Sequence, residues 1–406
     1  MTSVASVFAL FILLVFCIKW LKRRFKGRRS TRDTADLAKA DVTFEDHQRR
    51  MKRYAVMRQV FRVAVGIMGF TLVTTATGLV GFVLYYGLRD ALPLVITPGT
   101  WLFLGHQLLA YFLAGNILFN YYMCAFTNPG NINSDLYKRA VSEGQAKGMI
   151  PTIRKEIASS LNSCDNGSTA TTTATTPISS NLASTGTTGL DHSTEDDVKG
   201  GRGGLNGNNN ALEWRLCGRS GLIKPPRAHY DNVSGMIVLN MDHFCPWVAN
   251  TIGYANYRYF LLMLFWTFVG CAYVVLMLTP RVYYYGIGSK LYILVIYVTA
   301  FSFSVVLTMF LAFHSFLIST GQTTIDFWMN LRQRAIAKRQ KTNTPWENPF
   351  DLGMRRNWEQ VFGRVHWSRA ILPSLRRPPW PPYATKQDFD NEQVEFYDHD
   401  HPHKIV

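Results

Sequence analysis

Apolar residues along this chain gather into long runs, with polar and basic residues collected between them. Four runs, 63–88, 101–126, 257–278 and 291–318, each supply the roughly 20 apolar residues a helix needs to cross a bilayer. They predict an all-α multispan membrane protein with a four-helix core. A fifth run, 4–18, is shorter. It has no basic residue ahead of it and no small-residue cleavage pattern, so it reads as a signal anchor rather than a cleaved signal peptide.

Between the spans the pattern changes several times. Asn128, Pro129 and Gly130 stop the second span, because proline and glycine both break helical continuation. Residues 136–161 have helical periodicity with mixed charge and predict an amphipathic helix on the membrane surface. Residues 162–210 are rich in Ser, Thr, Gly and Asn and nearly lack large apolar side chains, which predicts disorder. Prolines and short β-branched runs over 216–256 predict small hairpins, and a basic helix is expected over 328–340. Residues 377–382 form a Pro-rich piece, read either as a ligand for an SH3 or WW domain or as a stiff tail on the membrane.

The expected division is therefore an anchor span with a basic segment over 1–61, a first span pair over 62–127 and a cytosolic element over 128–161. A disordered insert (162–211), a small domain (212–256), a second span pair (257–318) and a cytosolic tail (319–406) complete it.

Charge adds orientation. The net charge of +16 lies in 19–32, 49–62, 138–155 and 332–341, while the loops 89–100 and 279–290 carry few charges. The basic side is expected in the cytosol, which puts the small domain and the tail there too. The basic residues flank spans and are not interleaved with aromatic residues, so no nucleic-acid partner is expected. The bilayer itself is the expected partner of this charge. No span carries an acid–base set suited to an ion pathway, which disfavours a transporter or channel. The six cysteines show no disulfide-framework spacing.

The chemistry concentrates just before the third span, where Asp242, His243, Phe244, Cys245, Pro246 and Trp247 follow one another. An acid, a histidine and a cysteine within four residues suit a thiolate nucleophile. The stretch from Lys224, Pro225, Pro226 and Arg227 to Phe260 resembles the cysteine-rich domain of the DHHC family of protein S-acyltransferases. Further elements agree in order and spacing. Asn128-Pro129-Gly130 is similar to the family's DPG element, Thr323-Thr324-Ile325-Asp326 to its TTxE element, and 357–363 to its C-terminal Asn and Phe-Gly element. Residues 365–373 look like the Abl-philin branch.

The resemblance implies palmitoyl transfer from acyl-CoA to substrate proteins with membrane-proximal cysteines, in the endoplasmic reticulum or Golgi. It makes Cys245 the acyl-accepting nucleophile, His243 its base and Asp242 the acid that orients His243. It also makes Thr324 a hydrogen-bond donor to Asp242, sets Arg227 and His229 against the CoA phosphates, and packs Trp247 on the acyl thioester.

The family also binds two zinc ions, through two Cys₃His sets. In register, the first set falls on Cys217, Ser220, Tyr230 and Ile237 and the second on Asp231, Ser234, Phe244 and Thr251. Most ligands are missing and no metal site is expected. A catalytically inactive scaffold of the same fold is the alternative reading.

Overall fold

A computed structural model describes residues 63–148, 214–285, 291–339, 347–391 and 394. The expected anchor run 4–18, the insert 162–211 and most of the basic segments lie outside the described residues.

Among the described residues, four helices are long and apolar enough to cross a membrane: α1 (Val63–Leu94), α2 (Trp101–Phe126), and two further helices after the small domain. α1 runs past its expected end at 88, because a π-turn (Gly87–Ala91) and a 3₁₀ turn (Leu92–Leu94) continue it through Arg89 and Asp90. α2 has the expected bounds; the Thr100 hydroxyl accepts from the Phe103 N–H at its start. α3 (Asp135–Ala146) forms over the first part of the expected amphipathic helix, whose residues 149–161 lie outside the described residues. Its apolar face, with Tyr137, Ala140 and Gly144, is buried against the small domain and not laid on a bilayer. The Tyr137 hydroxyl donates to the Ile223 carbonyl at 2.6 Å, and the Trp214 ring packs so close to Gly144 that any β-carbon there would collide with it.

The small domain consists of three two-stranded antiparallel hairpins: β1 (Arg215–Leu216) with β2 (Ile223–Lys224), β3 (His229–Tyr230) with β4 (Ile237–Val238), and β5 (His243–Cys245) with β6 (Asn250–Ile252). Pairs this short cannot stand alone in water. They are held by the spans and by a shared apolar cluster containing Trp214, Cys217, Ile237, Leu239 and Tyr254. The chain then enters α4 (Tyr257–Tyr285) and α5 (Leu291–Ser319). α6 (Thr324–Arg339) follows at once, and α7 (Met354–Phe362) docks on the end of α5. Asn357 Nδ2 and Trp358 Nε1 make that dock by donating to the Ser319 carbonyl and hydroxyl.

The Pro-rich piece is neither a free ligand nor a tail on a bilayer. Trp380 is 2 % exposed inside the apolar cluster of the small domain, and its indole N–H donates to the Glu143 carboxylate. Proline fixes the local backbone, but the large aromatic between the prolines decides where the segment goes.

Candidate active site

The ends of the spans nearest the small domain meet β5, β6 and the turn between them. α2 ends with carbonyls that have no partner within the helix. Asn250 Nδ2 donates to the carbonyls of Cys124, Ala125 and Thr127, and Asn256 Nδ2 to those of Cys124 and Thr251. The Tyr121 hydroxyl donates to the Trp247 carbonyl at 2.7 Å. Asn128 Oδ1 accepts from the N–H groups of Gly130 and Asn131, which folds the DPG-like element into a turn whose Gly130 carbonyl receives the Leu239 N–H. α1 reaches the same place because Gly69 has no side chain; a β-carbon there would overlap that of Ala249.

On β5, positions 243 and 245 share one face and 244 takes the other, since side chains alternate along a strand. Asp242 is 1 % exposed. Its Oδ2 lies 2.7 Å from His243 Nδ1 and 2.8 Å from Thr324 Oγ1, and its Oδ1 lies 2.7 Å from the Thr324 backbone nitrogen. Burial works against the ionised acid, but the hydrogen bond from His243, the two neighbouring histidines and the Thr324 amide outweigh it. Asp242 is thereby held below the usual carboxylate range. An ionised Asp242 only accepts, so His243 Nδ1 carries the hydrogen between them. Burial likewise disfavours a charged His243, yet hydrogen bonds to Asp242 and Cys245 push its pKa up to about 9. Cys245 is buried in the core cluster formed with Tyr121, Cys124, Val248 and Phe260.

Asp242, His243, Cys245 and Thr324 are thus brought together. Trp247, two residues on, is 62 % exposed. His229 lies on β3 opposite Val238. Arg227 is already engaged: its Nε and Nη2 donate to Asp326 Oδ2 at 3.0 and 2.7 Å, and its guanidinium lies 4.7 Å from the Phe350 ring centre. Asp326 also accepts from the Thr323 N–H while Thr323 Oγ1 accepts from the Asp326 N–H, a reciprocal cap at the start of α6.

Two residues that the motif pattern does not single out complete the surroundings. His314, near the end of α5, is buried with its ring 6.2 Å from that of His243 and 5.0 Å from that of Phe260. Its Nδ1 lies 3.0 Å from the Tyr257 hydroxyl. The only sequence signal was a histidine inside an otherwise apolar span.

One cavity adjoins this region and another lies deeper among the spans. The first, of about 80 Å³, is lined by Arg227, Arg258, Gln322 and Gln360 among others. The other, of about 190 Å³, lies between the spans and is almost wholly apolar, with Ala110, Ile117, Gly270 and Ala300 in its wall.

The zinc positions implied by the resemblance do not fit the metal. The first set keeps one thiol, Cys217, beside Ile237 and Tyr230 in an apolar cluster. In the second, Asp231 accepts from Val233 N, Ser234 N and Thr251 Oγ1, so donors occupy the carboxylate. The hydroxyls of Ser220 and Ser234 are buried without partners. Neutral hydroxyls and a phenyl ring are not zinc ligands. Among the described residues no three His, Cys, Asp or Glu side chains gather as a ligand set.

Known proteins give a consistent picture. The family model for DHHC palmitoyltransferases matches residues 210–331. Palmitoyltransferase ZDHHC15 of Xenopus laevis is 36% identical over 171 residues, covering 40% of this chain and 48% of that protein. The probable protein S-acyltransferase 14 of Arabidopsis thaliana is 35% identical over 198 residues, 44% of this chain and 59% of that protein. Human palmitoyltransferase ZDHHC2 is 33% identical over 169 residues, 40% of this chain and 44% of that protein. The chain spans about half the length of the curated relatives it matches. The matched region contains the Asp242, His243 and Cys245 cluster and lies among four helices long and apolar enough to cross a membrane, so residues 210–331 are similar to the DHHC palmitoyltransferase domain.

Proposed function

We propose that this chain is a protein S-acyltransferase that moves a fatty acyl group from acyl-CoA to cysteine thiols of substrate proteins, by way of a thioester on Cys245. The observation that carries the reading is the hydrogen-bonded line from Thr324 through Asp242 to His243, which shares a face of β5 with Cys245, set where the spans end. A positive imidazolium beside Cys245 stabilises the sulfur anion that attacks the acyl-CoA carbonyl. The bond from carbonyl to CoA sulfur breaks, and the departing CoA thiolate takes the proton from His243. In the second half a substrate cysteine gives its proton to His243 and attacks the Cys245 thioester, which returns the enzyme to its starting form. Asp242 and Thr324 keep the ring in one orientation throughout.

Trp247 then covers the thioester. The acyl tail occupies the apolar cavity between the spans, whose wall on α2 lies about 10–20 Å from Cys124 at the helical rise. The CoA phosphates meet the basic rim near His229, Arg227 and Arg258. Arg258 suits this role because its hydrogen bonds go to neutral acceptors, the Ser374 hydroxyl and the carbonyls of Ser374 and Arg376. Arg227 contributes less freely, since Asp326 already holds it. No step passes through zinc. The basic flanks support a cytosolic site, and the likeness over 365–373 favours the endoplasmic reticulum or Golgi.

The test is incubation of the purified full chain in detergent with labelled palmitoyl-CoA. A hydroxylamine-sensitive label on the parent that is absent from Cys245→Ser is expected. A folded parent that takes no label at Cys245 defeats the proposal.

A further inference from the structure

We infer that two metal-free staples stand at the positions where the family register places its two zinc ions, one built on the Asp231 carboxylate and the other on Trp380 of a C-terminal strap. The inference rests on the register and the packing, not on turnover, so its tests are independent of the acyltransferase reading.

The first staple replaces the second zinc set. Asp231 is 2 % exposed at the end of β3. Its Oδ1 accepts from Val233 N at 2.9 Å, and its Oδ2 accepts from Ser234 N at 3.0 Å and Thr251 Oγ1 at 2.6 Å. Thr251 lies on β6, paired with Phe244 of β5. One carboxylate therefore ties the tight turn after β3 to the hairpin that carries His243 and Cys245. A zinc ion bound by the same four positions would join the same two pieces. Hydrogen bonds to a buried anion are among the stronger ones, so the substitution is chemically reasonable.

The second staple replaces the first set. Cys217, Tyr230 and Ile237 lie in an apolar cluster with Trp214, Tyr137 and Leu239, and Trp380 enters that cluster from the far end of the chain. Arg139 lies 4.6 Å from the centre of the indole, which also donates to Glu143. The strap on either side is fixed to the domain. The Tyr254 hydroxyl donates to the Pro379 carbonyl, Asn240 Nδ2 to the Pro382 carbonyl and Arg258 Nη2 to the Ser374 carbonyl. Burial of a large aromatic side chain here does the joining that thiolates and a metal would do.

The full chain, purified in detergent, is measured for zinc content by elemental mass spectrometry and for its thermal midpoint with and without a zinc chelator. The expected result is far less than one zinc per chain and a midpoint that chelation leaves unchanged, since a bound metal would stabilise by mass action. Thr251→Val and Trp380→Ala should each lower the midpoint by about 5 °C. Ser234→Ala, which removes an unpartnered hydroxyl, should not lower it. The combined variant Asp231→Cys, Ser234→Cys, Phe244→His and Thr251→Cys should gain tight zinc binding. Stoichiometric zinc in the unaltered chain, or a midpoint that falls with chelation, overturns the inference. So does a combined variant that folds without taking up zinc, because the register would then be wrong.

Discussion

Replacing Thr324 by valine removes one oxygen from a crowded position and little else. The shape is kept, and the backbone N–H of residue 324 still donates to Asp242 Oδ1 at 2.7 Å. What disappears is the hydroxyl donor 2.8 Å from Oδ2, the oxygen that also holds His243. A hydrogen bond to a buried charged group is worth about 1.5–3 kcal/mol. At about 1.4 kcal/mol per factor of ten, the loading of Cys245 should slow roughly 10- to 100-fold. The loss should fall on the maximal rate and leave the KM for acyl-CoA near the parent value, because Thr324 acts through Asp242 rather than on CoA. Thr324→Ser restores the donor and should recover most of the rate. The assay is single-turnover labelling of the full chain with palmitoyl-CoA, with a thermal midpoint to verify folding. Parent-like loading in Thr324→Val refutes the reasoning, as does a Thr324→Ser variant as slow as Thr324→Val.

The His243 pKa of about 9 lies above the ordinary 6.5, so the interactions of the charged ring stabilise the fold fully below about pH 6.5 and are lost as pH rises through about 9. With the ring partly exposed, the effect is roughly 2 kcal/mol, and unfolding followed from about pH 6 to 10 should show it in the parent but weakly in Asp242→Asn. His314→Phe keeps the packing on Phe260 but removes the partner of the Tyr257 hydroxyl; loading should slow about fivefold, and an unchanged rate would make His314 a filler only. Gly270 lines the apolar cavity, with its β-carbon position 3.1 Å from Ile117 Cδ1. If Gly270→Leu displaces two methylenes of the acyl tail, preference for palmitoyl over a shorter chain should drop about tenfold; competition between labelled acyl-CoAs of different length measures it, and an unaltered preference separates the tail from this cavity.

What the sequence disclosed of this molecule depended on how local each cause is. The spans were legible because lipid demands an unbroken apolar run, and 101–126 was recovered to the residue as α2. The end of α1 was not, since Arg89 and Asp90 looked like a loop although a π-turn carries the helix past them. His243 and Cys245 were legible because both sit on one three-residue strand. Asn250 and Asn256 were missed as caps because their acceptors belong to α2, more than a hundred positions away in sequence.

Trp380 shows the same limit most sharply. Prolines around a tryptophan carry a local signal of an exposed, extended ligand, and nothing near them in sequence reveals that Glu143 and the Cys217 cluster are waiting for the indole. The missing thiols were legible one by one, but their meaning was not. An Asp, a Ser and a Thr at 231, 234 and 251 look like scattered losses until the fold shows two of the side chains hydrogen-bonded to each other and the backbone of the third joined to the same carboxylate. Loss of a ligand set therefore says nothing about loss of the fold it supported. That depends on whether the replacements find one another in space, and here their contacts tie the turn after β3 to the hairpin that holds Cys245.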